Sequence, residues 1–222
     1  MKRLPVALCA CLDERRSAHA SDFKRAVVLA CEWLSAERSL EVLPHWFDDA
    51  ASEAGGALAA RSAVRAGARA VVGHFASVAA CAAAPIYEER GIPLFLPAAT
   101  AARLRSHRGV HRLCDADDDF GRWICDGLVR RRCRHLGVFS DGSVHGESAR
   151  AAITECWGPT AGLESAESVV FTGTLQASLA FVNSRLEHGD RRPLFVTDDA
   201  HSTEFARAVE GDSASVLSLI HI

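Results

Sequence analysis

The sequence is short of the signatures that mark many catalytic and transport classes. None of its eight cysteines forms a CxxC pair, which removes the usual thiolate-metal and dithiol motifs. No GxGxxG follows the first apolar run; "CLDERRSAHAS" (11–21) stands where the glycines of a phosphate-binding turn would be needed. GxSxG is absent, so there is no nucleophile elbow. No apolar stretch reaches the ~18 residues that a membrane-spanning helix needs. Net charge is −3 over 222 residues, which gives no polybasic footprint for nucleic acid. The local run "RRRCR" (130–134) reads as a helix end meeting solvent rather than a phosphate clamp. Beyond a bias to alanine, neither internal repeats nor low-complexity tracts occur.

What is present is an ordinary globular composition, 49% apolar and 24% charged, with enough chain for one large domain or two small ones. The cysteines mostly sit inside apolar periodic segments, where a free thiol behaves as a small hydrophobe. "CAC" (9–11) reads as a strand turning both thiols into the core. So many unspaced thiols suit a reducing compartment, and the expected location is cytoplasmic, with no disulfides. The alternative is export, periplasmic or as a lipoprotein, because "MKRLPVALCAC" has a basic start and a short apolar run.

Along the chain, apolar runs alternate with amphipathic helices. Strands are expected at 4–12, 40–47, 68–73 and 92–97, and helices at 21–36, 48–67 and 77–91. Pro44 places the second strand near an edge, and Pro85 implies a break or restart in the third helix. Short loops and unalternating strands point to a doubly wound parallel sheet ordered 2-1-3-4 and extended by a later strand. "HRLC" (111–114) reads as a short extended segment. A second α/β lobe follows, with helices at 120–133, 146–158, 175–189 and 202–211, and strands at 135–140, 168–173, 192–199 and 214–222. The expected domains are residues 1–120 and 121–222.

Ligands in this architecture sit beyond the carboxyl ends of strands, so those loops hold the candidate residues. In "GHFASVAA" (73–80), Ser77 either caps a helix or, with the first free N–H groups, meets an anion. In "LPAAT" (96–100), the Ala98 carbonyl suits an ammonium, Ala99 is small, and the Thr100 hydroxyl and N–H suit a carboxylate; a tight turn is the plainer reading. In "SDGSVHGES" (140–148), His145 either covers a ligand or is a surface histidine. In "TDDAHS" (197–202), Asp198 or Asp199 pairs with an ammonium or forms a turn. Asp13, Asp48 and Asp49 invite a receiver-domain reading, but no matching lysine loop follows.

Five stretches carry a resemblance: "DDAAS" (48–52), "AVVGHFAS" (70–77), "IYEERGIPLFLPAAT" (86–100), "HRLCDADDDFG" (111–121) and "VFSDGSVHGES" (138–148). Together they resemble the type I periplasmic binding proteins, the leucine/isoleucine/valine-binding family of transporter substrate-binding proteins. That resemblance implies two α/β lobes joined by crossovers and closing on an amino acid. It implies that Ser77, Ala98 and Thr100 hold the α-carboxylate and α-ammonium. His145 stands where the family has an aromatic residue, and Asp199 and Ala200 fall nearest the next loop of the site. Relative to the family the second lobe is incomplete.

The leading expectation is a domain that binds a small amino acid or related carboxylate, without cofactor or metal. An enzyme on the same scaffold is an alternative, with His145, Asp198, Asp199 and His201 as its acid/base groups. A regulatory or structural subunit completed by a partner is another. The apolar "VLSLIHI" (216–222) suggests a homodimer or heteropartner through the C-terminal region.

Overall fold

The apolar runs form parallel strands with helices between them. The computed structural model describes residues 2–13, 18–197, 205, 207 and 216–218. The chain divides into two compact units, Met1–Ala116 and Asp117–Ile222.

In the first unit the order is β1 (Lys2–Ala10), α1 (Ala18–Arg38), β2 (Leu40–Asp48), α2 (Glu53–Arg65), β3 (Ala70–Gly73), α3 (Ser77–Glu89), β4 (Leu94–Leu96) and β5 (Val110–Arg112), with a 3-10 turn at Ala102–Ser106. The sheet runs β2-β1-β3-β4-β5, and every pairing is parallel. The expected 2-1-3-4 core is therefore present, and the added strand is Val110–Arg112, which takes in His111 and Arg112 of "HRLC".

β1 shows why its sequence is continuously apolar. Val6, Leu8 and Ala10 pack with Phe23 of α1 on one face. Ala7 and Cys9 pack on the other against alanines of α2 and α3 and against Tyr87. Both faces are covered, so alternation disappears. Pro44 lies in β2, the outer strand of the sheet, where a missing N–H breaks no ladder bond to a further neighbour. α2 and α3 bury small residues, among them Ala59, Ala60, Ala63, Ala79, Ala80, Ala83 and Ala84. The break expected at Pro85 does not occur: α3 runs unbroken from Ser77 to Glu89 with Pro85 on its exposed side. Proline there removes one intrahelical bond. The buried Ala83, Ala84 and Tyr87 on either side hold the helix together.

The second unit contains α4 (Asp117–Arg130), β6 (Leu136–Ser140), α5 (Val144–Trp157), β7 (Ser168–Thr172), α6 (Leu175–Glu187), β8 (Leu194–Val196) and β9 (Val216–Ser218). Its sheet, β6-β7-β8-β9, is parallel throughout. α4 begins earlier than expected because Asp117, Asp118 and Asp119 occupy its first turn, where carboxylates favour a helix start. β7 divides the core: Val170 joins Ile124, Leu128, Ile153 and Phe195 on one face, and Val169 and Phe171 join Val182, Leu194 and Val196 on the other.

The end of α6 is clamped to β8 by charge. Asp190 accepts from Arg185 Nε at 2.8 Å and from Arg192 Nε at 2.8 Å and Nη2 at 2.6 Å. Arg192 also donates to the Ala166 carbonyl at 2.8 Å. Hydrogen bonds from Arg192, then Arg185, hold the Asp190 carboxyl well below the usual range although burial opposes them. A depressed folded-state value means that the stabilisation is complete at neutral pH. It is lost as pH falls below about 4, the ordinary carboxylate value, and on through the folded one. Asp190→Asn should lower the denaturant midpoint at about pH 7 and flatten its fall towards about pH 3. A midpoint that falls equally steeply with acid in both proteins would contradict the clamp.

Candidate functional site

The parallel strands of the first unit bring their carboxyl ends to one edge of the sheet, and the loop after β3 makes the sharpest bend there. Gly73 has φ 130°, and a Cβ on it would lie 1.9 Å from the Cys9 carbonyl oxygen, so only glycine fits between β3 and β1. His74 follows in a left-handed conformation, φ 58°, with its N–H on the same carbonyl at 2.6 Å. Ala76 then caps α3 without a side-chain bond, and Ser77 is the first helical residue. The capping role allowed for Ser77 is thereby corrected: its hydroxyl turns away from its own helix. It accepts the N–H groups of Thr100 at 3.1 Å and Ala101 at 3.2 Å.

That pair of bonds joins the ends of β3 and β4, whose adjacency the sequence left open. A serine hydroxyl has one proton and two acceptor positions. With both acceptor positions engaged, the hydroxyl proton is what Ser77 has left to donate. The N-terminus of the 13-residue α3 adds unpaired N–H groups and the positive end of its dipole. Ser77 and Thr100 are half-buried and Ala98 is exposed. Ala99 is buried in the core, and its carbonyl accepts the Cys114 thiol at 3.7 Å. Ala99 is thus a packing residue rather than a contact surface.

Beneath this turn lies a polar chain that sequence reasoning missed. His74 is 0% exposed, Asp49 1% and Tyr87 1%. His74 Nδ1 is 2.9 Å from Asp49 Oδ2, His74 Nε2 is 3.2 Å from the Tyr87 hydroxyl, and that hydroxyl is 3.6 Å from Cys9 Sγ. Asp49 Oδ1 accepts from Ala51 N–H at 2.9 Å, holding a turn in which Ala50 and Ala51 both have positive φ. One proton assignment satisfies every group: Cys9 S–H to the Tyr87 oxygen, Tyr87 O–H to Nε2, and Nδ1–H to Asp49. Burial pushes the Cys9 thiol up to about 12. Burial also raises the Tyr87 phenol far above its ordinary value, with Cys9 and Asp49 adding to it. Both groups therefore keep their protons and remain donors. The residue types are those of acid/base catalysis, but no substrate reaches atoms this deeply covered. The chain fixes the β3–α3 turn instead. The signals available in the sequence were the aspartate pair after β2 and the only tyrosine of the chain, since a buried phenol needs a partner.

In the second unit the corresponding loops are joined by Asp141. Its carboxylate accepts from Ser143 N at 2.9 Å and Oγ at 2.6 Å, and from Thr174 N at 2.9 Å. Burial pushes this carboxyl up, but the bonds from Ser143 and Thr174 outweigh it and hold it below its usual value. Ser143 caps α5, accepting from Gly146 N at 3.0 Å. His145 is half-buried in the first turn of that helix. Asp198, Asp199, Ala200 and His201 lie outside the described residues. Among the described residues, no group of three or more His, Cys, Asp or Glu is placed to hold a metal. A cavity of about 410 Å³ beside α3 is lined by Glu53, Val78, Cys81, Ala82, Arg103, Ser106 and His107, and does not include Ser77 or Thr100.

Breaking the buried chain should destabilise the first unit. Asp49→Ala leaves the His74 Nδ1–H donor unpaired in the core, and Tyr87→Phe leaves Nε2 and Cys9 without a partner; each should remove about 1–3 kcal/mol. Denaturant unfolding of the two variants measures this. An Asp49→Ala loss below about 1 kcal/mol would contradict the arrangement.

No protein-family model matches the chain. A curated relative, the Leu/Ile/Val/Thr-binding protein of Salmonella typhimurium, is 26% identical over 175 residues, 68% of this chain and 48% of the relative. The chain thus spans just under half the length of the curated relative it matches. Among solved structures, the branched-chain amino acid transporter substrate-binding protein LivJ of Streptococcus pneumoniae, in complex with isoleucine, superposes with a TM-score of 0.81. It is 17% identical, and the match covers 98% of this chain and 70% of that one. An ABC-transporter solute-binding protein of R. palustris, in complex with benzoate, gives a TM-score of 0.74 at 16% identity, covering 93% of this chain and 65% of that one. The chain therefore carries the type I periplasmic-binding-protein fold and, over the residues it spans, is similar to the Leu/Ile/Val-binding proteins.

Proposed function

We propose that the first unit binds the carboxylate of a small amino acid or related acid at the start of α3. The observation that carries this reading is the Ser77 hydroxyl, which ties the Thr100 and Ala101 N–H groups to the N-terminus of α3 and keeps its own proton to donate. The ligands of the two similar structures, isoleucine and benzoate, share a carboxylate and differ in the ammonium. Ser77 and the Thr100 hydroxyl hold the carboxylate, and the exposed Ala98 carbonyl accepts from an ammonium. His145 and Asp199 belong to this reading through the resemblance alone. Similarity to transporter substrate-binding proteins supports the exported alternative over the cytoplasmic one. Association through the C-terminal region, as a homodimer or with a heteropartner, is supported by β9 being the outer strand of its sheet among the described residues, since a sheet edge invites pairing.

Calorimetry with leucine, isoleucine, benzoate and an uncharged amide control tests the site. A hydrogen bond to a charged group contributes about 1.5–3 kcal/mol, so Ser77→Ala and Thr100→Ala should each weaken binding about tenfold or more. Ser77→Ala should be the worse of the two, because it also releases the Thr100 and Ala101 N–H groups. The amide should not bind. Unchanged affinity in both variants would place the ligand elsewhere.

A further inference from the structure

Two of the eight cysteines, Cys125 and Cys156, stand on helices that pack backbone to backbone. In the second unit α4 and α5 touch at Gly121, where a Cβ would lie 2.8 Å from the carbonyl carbon and oxygen of Ala152. Backbone there lies against backbone. One turn further along α4, the Cys125 Sγ is buried and lies 3.7 Å from the Ile153 carbonyl oxygen. Cys156 stands one turn of α5 beyond Ala152 and is exposed. Cys156 is the thiol neighbour that, after burial, acts on Cys125, and the Ile153 carbonyl that Cys125 meets lies three residues before it on α5. Other cysteines are turned to different partners: Cys9 to Tyr87, Cys81 to Arg103 and Cys114 to the Ala99 carbonyl.

We infer that Cys125 and Cys156 are a dithiol that closes to a disulfide across the α4–α5 contact when a small disulfide oxidant is present. The steps are thiol–disulfide exchange. The exposed Cys156, as thiolate, attacks one sulfur of a low-molecular-weight disulfide such as oxidised glutathione. A mixed disulfide forms, and one small thiolate leaves and takes up a proton. Cys125 then gives its proton to solvent and attacks Cys156 Sγ, expelling the second small thiol. Two protein thiols are oxidised to one disulfide, and the oxidant is reduced to two thiols. Exposure assigns the first step to Cys156. Burial, with the Cys156 thiol adding to it, pushes Cys125 up to about 12, so the second step is the slow one. The bond joins the two helices that cover Leu136, Val138 and Val170. It replaces the fully reduced state expected from the cysteine spacing, and it does not depend on the ligand proposal.

The test uses the full chain, reduced and then incubated with oxidised glutathione, blocked with N-ethylmaleimide and digested with trypsin. Cys125 falls in the peptide 123–130 and Cys156 in 151–185, each without another cysteine. The expected product is those two peptides linked, lighter by two hydrogens and separated again by dithiothreitol. The oxidised chain should melt higher by roughly 5 °C or more, and Cys156→Ser, an exposed substitution, should abolish both effects. Separate alkylation of the two cysteines, a glutathione adduct that persists on Cys156, or a link between chains through Cys156 would each overturn the inference.

Discussion

The bond between His74 and Asp49 is the constraint on which the carboxyl-end edge of the first unit's sheet depends. Both side chains are almost wholly removed from water, where an unpaired charge or donor is heavily penalised. His74 also sits in a left-handed backbone conformation that is uncommon for side chains other than asparagine, aspartate and histidine. The left-handed turn admits a histidine, and its two ring nitrogens, bonded to Asp49 and Tyr87, account for this one. The pair connects the turn after β2, the turn after β3 and the body of α3. Each ring contact therefore limits where the first residue of α3 stands.

That position is what gives Ser77 its chemistry. A serine that capped its own helix would spend an acceptor on that helix's N–H groups and leave them unavailable to a ligand. Here Ala76 takes the cap position, and Ser77 accepts from the β4 loop instead. The helix start keeps its unpaired N–H groups, and the hydroxyl proton adds to them. The second unit ties its loops by another route, with Asp141 accepting from both the β6–α5 and β7–α6 turns. In each unit a buried or half-buried carboxylate anchors loops that local propensity alone would leave loose.

Strands and strand order were legible because burial on both faces leaves a plain mark. β1 has no polar residue between Leu4 and Cys11, and Pro44 marks β2 as outermost. The candidate site was half legible. Ser77 and Thr100 could be named from the residues that end β3 and β4 and from the resemblance. Their meeting could not, since 23 residues separate them. Ser77 and Ala76 exchange roles over one position, which is finer than residue preferences resolve. Pro85 misled because a proline signals a lost bond, while the packing that tolerates the loss is tertiary. The joining of His74, Asp49 and Tyr87 escaped because 25 residues separate Asp49 from His74, and the placing of Cys125 beside Cys156 escaped because the packing of α4 on α5 that makes it is tertiary.

A crystal structure of this chain grown with L-leucine tests the central claim most directly. The account predicts a ligand carboxylate within hydrogen-bond distance of Ser77 Oγ and Thr100, above an intact Asp49–His74–Tyr87 chain. A carboxylate bound elsewhere, in the cavity lined by Glu53, Cys81 and Arg103 for example, with Ser77 still paired only to the Thr100 and Ala101 N–H groups, would contradict it.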